Sequence, residues 1–251
     1  MISNNDLKYY SSLLQKKCRL KEKKFIAEGR KIVEEGLENN ISCEVVFLSK
    51  NFAKTNFDFI NKLTQQNHHY EIIKDKEFER LSDTVNPQGV AAIFYYRDKT
   101  MNIKTELVTA LENISDPGNV GTIIRNCDWF GVKEIILSEN CSEVYNPKTI
   151  RASMGSIFHL KLFEGIKLIQ ELSSLKKNGY KIYSTHLKGK NLYEVKTGVK
   201  SVIVFSNESS GPTKELINIS DEVISIPKYG MAESLNVASA SAVVLSQLCK
   251  E

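Results

Sequence analysis

The stretch Asp116-Pro117-Gly118-Asn119-Val120-Gly121-Thr122-Ile123-Ile124-Arg125-Asn126-Cys127-Asp128-Trp129-Phe130-Gly131 follows an apolar run at Leu107 to Glu112. Pro and Gly after a strand set a tight turn, and Asn119 suits a helix N-cap. Val120, Ile123, Ile124 and Cys127 then keep helical spacing up to Gly131. A capped helix accounts for everything here except Arg125, a cation inside an otherwise apolar helix close to a strand end. A guanidinium so placed suggests a hydroxyl, phosphate or carboxylate partner. Cys127 and Trp129 read as packing residues.

Outward from this stretch, strand-like runs alternate with helical ones. The strands are Leu107 to Glu112, Glu134 to Leu137, Lys181 to Ser184, Ser201 to Phe205 and Glu222 to Ile226, with helices at 119–130, 165–177 and 234–248. Such alternation predicts a mostly parallel sheet covered by helices, with ligands at the carboxyl ends of the strands. Before it, helical periodicity at 5–15 and from Phe25 to Leu37, apolar runs at Val45 to Leu48 and Val90 to Tyr96, and a helix-like Phe57 to Gln66 give a smaller α/β pattern. Asn86-Pro87-Gln88-Gly89 is a turn signal. The division expected is therefore 1–97, a polar linker at 98–104, and 105–251.

Two more clusters sit beyond strands. Val202-Ile203-Val204-Phe205-Ser206-Asn207-Glu208-Ser209-Ser210-Gly211-Pro212 places an amide and a carboxylate just past a buried run. Alone, that is a turn with a solvated Glu. The sequence from Ile224 through Ile226-Pro227-Lys228-Tyr229-Gly230-Met231-Ala232-Glu233-Ser234-Leu235-Asn236-Val237 to Ala242 reads as a strand, a loop and a helix capped by Ser234. Its Ala238, Ala240 and Ala242 allow close backbone approach.

Taken together, NxGxxxR, NExxG and IPxxGxxxSLNV resemble the three motifs of the SpoU, or TrmH-like, ribose 2′-O-methyltransferases of the SPOUT superfamily. Residues 15–95, with Lys17-Cys18-Arg19-Leu20-Lys21-Glu22-Lys23-Lys24-Phe25-Ile26-Ala27-Glu28-Gly29, look like the L30e/L7Ae-like substrate-binding domain of the ribosomal RNA members. The resemblance implies a C-terminal α/β domain with a mostly parallel sheet and a deep trefoil knot, a known exception to the rule against threaded chains. It also implies S-adenosylmethionine as cofactor, a homodimer, and transfer of a methyl group to a ribose 2′-hydroxyl, with 23S ribosomal RNA as substrate. Transfer RNA as substrate, or a non-catalytic RNA-binding protein keeping the fold, are the alternatives. By position, catalysis falls to Arg125, with Asn119 and Glu208 positioning it and the ribose, and with Ser234 and Asn236 ordering the knot loop. Cofactor binding falls to Thr185, Leu187, Ser206, Gly211, Ile226, Met231 and Leu235. Ser206 departs from the family pattern, which has Gly there.

Composition sets the frame for these motifs. The 251 residues are 41% hydrophobic and carry 34 basic against 30 acidic groups, as a soluble, core-forming protein does. The charge is uneven: residues 8–24 hold seven basic groups and one acid, whereas 101–251 hold 17 basic and 16 acidic. Polyanion binding is thus assigned to the N-terminal part, with Lys16, Lys17, Arg19, Lys21 and Lys24 as RNA contacts, although a charge run is also the usual solvated face of a helix. Five separated cysteines without a CxxC pair fit reduced thiols. No HExxH or paired histidine spacing points to a metal, no GxGxxG or Walker loop is present, and no apolar run nears the ~18 residues of a membrane span. A cytoplasmic location is the expectation.

Overall fold

The computed structural model describes residues 2–97, 100–197 and 200–249, so positions 98 and 99 of the expected linker lie outside the described residues. The chain divides into two compact units, Met1–Asp98 with Tyr145–Phe158, and Lys99–Val144 with His159–Glu251. The segment Tyr145–Phe158 therefore belongs with the N-terminal unit, and the chain passes between units three times rather than once.

The N-terminal unit runs α1 (Asn4–Ser12), α2 (Lys16–Glu22), β1 (Lys24–Glu28), α3 (Arg30–Glu38), β2 (Cys43–Ser49), α4 (Lys50–Thr55), α5 (Phe57–Gln65), β3 (Tyr70–Ile73), α6 (Asp75–Phe78) and β4 (Val90–Tyr95). Its sheet has the order β1-β4-β2-β3, antiparallel except for the β2–β3 pair. The helix expected from Phe25 to Leu37 is instead β1 and α3, separated at Gly29 with φ of +106°. Phe25, Ile26, Ala27 and Glu28 are all buried, and a strand covered on both faces shows a continuous apolar run that periodicity cannot tell from a helix. Phe25 stacks on Tyr145 with centroids 4.3 Å apart, while Ile26 enters a core with Leu7, Leu13, Phe47 and Phe78.

Two of the expected RNA contacts are structural. Arg19 is 2% exposed, and its Nη1 donates to the carbonyls of Leu13 and Leu14 at 2.9 and 2.7 Å. Those oxygens lie at the C-terminal end of α1, where carbonyls lack helical partners. Lys24 is ion-paired with Glu44 and lies over the rings of Tyr9 and Tyr95 at 5.4 and 5.0 Å. Lys16, Lys17 and Lys21 are exposed. Charge density along a sequence does not reveal side-chain direction, and over this run the fold turns Arg19 and Lys24 inward and leaves Lys8, Lys16, Lys17, Lys21 and Lys23 exposed.

The C-terminal unit contains β5 (Leu107–Glu112), α7 (Pro117–Trp129) and β6 (Glu134–Ser138). Then α8 (Pro147–Ser153) forms within the N-terminal unit, before β7 (Lys161–Ile166), α9 (Leu168–Lys177), β8 (Lys181–Asn191), β9 (Ser201–Ser206), α10 (Lys214–Ile219), β10 (Glu222–Ser225) and α11 (Val237–Leu248) return to the C-terminal one. The six strands have the order β10-β8-β9-β5-β6-β7, and every pair is parallel. Strands β5, β6 and β9 are buried almost throughout, as parallel strands covered on both faces must be. β7 escaped the sequence reading, and it displaces the start of the helix expected at 165 to Leu168. From β10 at the sheet edge the chain comes back to pack α11 on α7 and β9. Among the described residues no helix is long and apolar enough to cross a membrane.

Candidate active site

The three clusters that stand apart in the sequence meet at the carboxyl ends of β5, β9 and β10. The geometry starts from helix caps. Asp116, not Asn119, caps α7, accepting the Asn119 amide at 2.9 Å with Pro117 in the first turn. That leaves the Asn119 side chain free to donate through Nδ2 to Glu208 Oε1, a contact bridging 89 residues of sequence. Likewise Asn236, not Ser234, caps α11, and its Oδ1 accepts from the amides of Ala238 and Ser239 at 2.9 and 3.4 Å. Its Nδ2 points the other way, to Asn119 Oδ1 at 3.0 Å and Glu208 Oε1 at 3.5 Å. One asparagine thus terminates a helix and closes a three-residue polar junction.

Between α7 and α11 a second link runs through residues that the motif reading passed over. Asn126 Nδ2 donates to the Ala238 carbonyl and to Ser241 Oγ, both at 2.9 Å. Cys127 is fully buried, and burial pushes its thiol up to about 12, so it packs rather than reacts.

Beside the junction lies a cleft of about 430 Å³ formed by the middle of β8, by the segments leaving β9 and β10 and by the start of α11. Thr185, Leu187, Ser206, Gly211, Ile226 and Leu235 line it, as do Glu208 and Ser234. Its size falls in the ~300–1,000 Å³ range of small-molecule sites. Met231 does not line it and is 97% exposed, although its neighbours Gly230 and Ala232 do line it. Pro227 and Val237, motif positions given no role in the sequence reading, also line it, as do His186 and Val244, which lie outside the motifs.

Arg125 stands apart from all of this. It is exposed, makes no hydrogen bond or ion pair with Asn119, Glu208 or Asn236, and does not line the cleft. Six residues along a helix from Asn119, it projects from a different side. Trp129, one turn further and read from sequence as a packing residue, is 83% exposed. The described residues contain no group of His, Cys, Asp or Glu side chains able to hold a metal.

The departure at Ser206 is accommodated locally. The side chain is buried and its Oγ donates to Glu112 Oε2 at 2.9 Å, so the hydroxyl is turned onto the neighbouring strand. The loop that follows is compact. Asn207 Oδ1 accepts from the amides of Ser209 and Ser210 at 2.9 and 3.2 Å, and Gly211 takes a left-handed φ of +63°.

A parallel sheet whose carboxyl edge carries a polar junction and a largely apolar cleft is the arrangement of an α/β protein that binds a small organic ligand across its strand ends. Comparison with known proteins gives this class its family. A model of the SpoU rRNA Methylase family matches residues 106–246, and one of the MRM3-like substrate binding domain matches residues 4–92. The 23S rRNA (guanosine(2553)-2'-O)-methyltransferase RlmP of Bacillus subtilis is 30% identical over 247 residues, 98% of this chain and 96% of that protein. An AdoMet-bound rRNA methyltransferase from Sinorhizobium meliloti has a TM-score of 0.84 at 26% identity, covering 98% of this chain and 95% of that one. The SpoU methyltransferase AviRb from Streptomyces viridochromogenes has a TM-score of 0.85 at 20% identity over 98% and 97%, a likeness of fold. The chain belongs to the SpoU rRNA methylase family.

The dual role of Asn236 separates two effects by substitution. Asn236→Ser keeps a capping oxygen and removes the amide donors without adding a charge beside Glu208, so turnover is expected to fall while thermal stability holds. Asn236→Ala also removes the cap, costing about 1 kcal/mol of stability in addition. Thermal unfolding and methyl-transfer rates measured on both variants check this; equal stability in the two would contradict the capping role.

Proposed function

We propose that this protein transfers a methyl group from S-adenosylmethionine to a ribose 2′-hydroxyl of ribosomal RNA. The observation that carries the reading is the junction of Asn119, Glu208 and Asn236 at the mouth of the cleft, joined to membership of the SpoU rRNA methylase family. The match of residues 4–92 to an MRM3-like substrate binding domain supports RNA as the partner. Thr185, Leu187, Ser206, Gly211, Ile226 and Leu235 would hold the cofactor. The cleft suits it, with apolar walls from Ile226, Leu235 and Val237 and with polar backbone from the loop after β9.

S-adenosylmethionine supplies a methyl group already activated on a sulfonium, so the protein's task is alignment and management of one proton. Glu208 accepts both amide donors on Oε1, which leaves Oε2 to receive the ribose hydroxyl. Asn119 and Asn236 hold that carboxylate in place, and Ser234 stands on the cleft wall beside it. A guanidinium has five donors and no acceptor atom, so Arg125 stabilises the developing alkoxide rather than removing the proton.

Because Arg125 projects away from the cleft of its own chain, the site is completed in a homodimer, with the α7 face bearing Arg125 and Trp129 turned to the second copy. An exposed Trp beside a functional Arg suits such an interface, since both types are enriched there. On the N-terminal unit, the exposed Lys16, Lys17 and Lys21 contact RNA phosphates.

Arg125→Ala is expected to lower turnover on ribosomal RNA at least ~100-fold, the size of a lost oxyanion donor, with cofactor affinity within about threefold of the parent. A methyl-transfer assay beside calorimetry checks it, and near-normal turnover would remove Arg125 from the reaction. Replacing Lys16, Lys17 and Lys21 together by Gln is expected to weaken RNA binding and flatten its dependence on salt by roughly the counterions no longer released. Unchanged slopes of log K against log salt would assign RNA contact elsewhere. Sedimentation equilibrium should find a dimer that Trp129→Glu dissociates; a parent protein already monomeric at assay concentration would contradict the shared site.

A further inference from the structure

Glu112 is the last residue of β5, 4% exposed, and belongs to none of the three motifs. A carboxylate this deeply buried is costly unless its oxygens are satisfied. Here both are: Oε2 accepts from Ser206 Oγ at 2.9 Å and from the Thr213 amide at 3.1 Å, and Oε1 accepts from Thr213 Oγ1 at 2.6 Å. The two partners bracket the loop Asn207 to Pro212, a wall of the cleft. The main chain adds stitches in the same place. The Asn207 amide donates to the Glu112 carbonyl and Asn207 Nδ2 to the Asn113 carbonyl, each at 3.1 Å.

We propose that Glu112 is a positioning residue for the cofactor: it clamps the loop Ser206–Thr213 at both ends and thereby sets the shape of the cleft before the cofactor arrives. This rests on the reading of the cleft as the S-adenosylmethionine site. Ser206, in place of the family's glycine, is one of the clamp's three donors. Its hydroxyl adds a tether that a glycine could not make. Thr213 has a second duty, since its Oγ1 also accepts the Leu216 amide as N-cap of α10, so the clamp joins the loop to the helix after it. The same loop carries Glu208, and the segment after Glu112 leads through Asn113 to the cap of α7 and to Asn119. Preorganisation of this sort lowers the ordering cost of binding, so its loss is read in cofactor affinity more than in the chemical step.

The test grades the clamp by the number of bonds removed. Ser206→Gly removes one side-chain bond, Thr213→Val removes one and leaves the amide, Glu112→Gln keeps one accepting oxygen, and Glu112→Ala removes all three. Calorimetry with S-adenosylmethionine on the full-length protein should show affinity falling in the order Ser206→Gly, Glu112→Gln, Glu112→Ala. The last should fall by at least ~10-fold, with the Glu112→Gln variant recovering part of the loss. In steady state the KM for the cofactor should rise by a similar factor, while the KM for RNA and the kcat at saturating cofactor change less than about threefold. Amide exchange should quicken at residues 207–211 and at Thr213 in Glu112→Ala. If Glu112→Ala does not fold, the Ser206→Gly and Thr213→Val pair decides: losses of cofactor affinity that are non-additive in the double variant, as for two donors sharing one carboxylate, with unchanged RNA affinity support the clamp, and strictly additive ones overturn it. Unchanged cofactor affinity in every folded variant overturns it, as does a loss spread equally over cofactor KM, RNA KM and kcat. Failure of the parent protein itself to bind S-adenosylmethionine would instead overturn the reading of the cleft, and the clamp with it.

Discussion

Strands β5 and β9 run parallel and in register, with Glu112 opposite Ser206, and the meeting of Asn119 with Glu208 beyond their ends depends on that pairing. Parallel strands buried on both faces offer no surface for a ligand along their length. Polar groups can emerge only where the strands stop. Because β5 and β9 stop side by side, the turn into α7 and the loop bearing Glu208 leave the sheet as neighbours. Helix α11 then packs on α7 and brings Asn236 to the same point.

The junction that results is economical in residues. Caps are required at helix N-termini whether or not the protein has a reaction to perform, since the first amides of a helix lack partners. Asp116 takes that duty for α7 and releases Asn119, whereas Asn236 performs it for α11 with one end of its amide and reaches the junction with the other. Helix geometry and site geometry are therefore coupled at Asn236. Small side chains serve the coupling too: Ala238 and Ser241 let Asn126 of the facing helix approach close enough to bond both of them.

The N-terminal unit follows a different logic. Its basic stretch reads in sequence as a single polyanion-binding feature, but a seven-residue helix followed directly by a buried strand divides it. Arg19 spends its donors on the carbonyls that end α1, and Lys24 is held by Glu44 between two tyrosines. The other cations of the run project outward. Similarly, the segment Tyr145–Phe158, in sequence an unremarked stretch of the C-terminal half, supplies Tyr145 to stack on Phe25 and Arg151 to pair with Asp83 in the N-terminal unit.

By itself the sequence determined the class of fold and the chemistry. Alternating apolar runs gave the parallel sheet, and the Asn-Arg, Asn-Glu and Ser-Leu-Asn motifs carried the family, because backbone period and motif spacing are local properties written in order along the chain. Direction and partnership were left to tertiary structure. Whether Arg19 or Trp129 faces in or out, that β1 is a strand and not part of a helix, that Asn119 meets Glu208, and that Glu112 holds Ser206 and Thr213 all depend on atoms nearly a hundred residues away or on burial by other elements. Local pattern is blind to those, since a side chain's partner is chosen by what the packed sheet and helices bring within 3 Å of it.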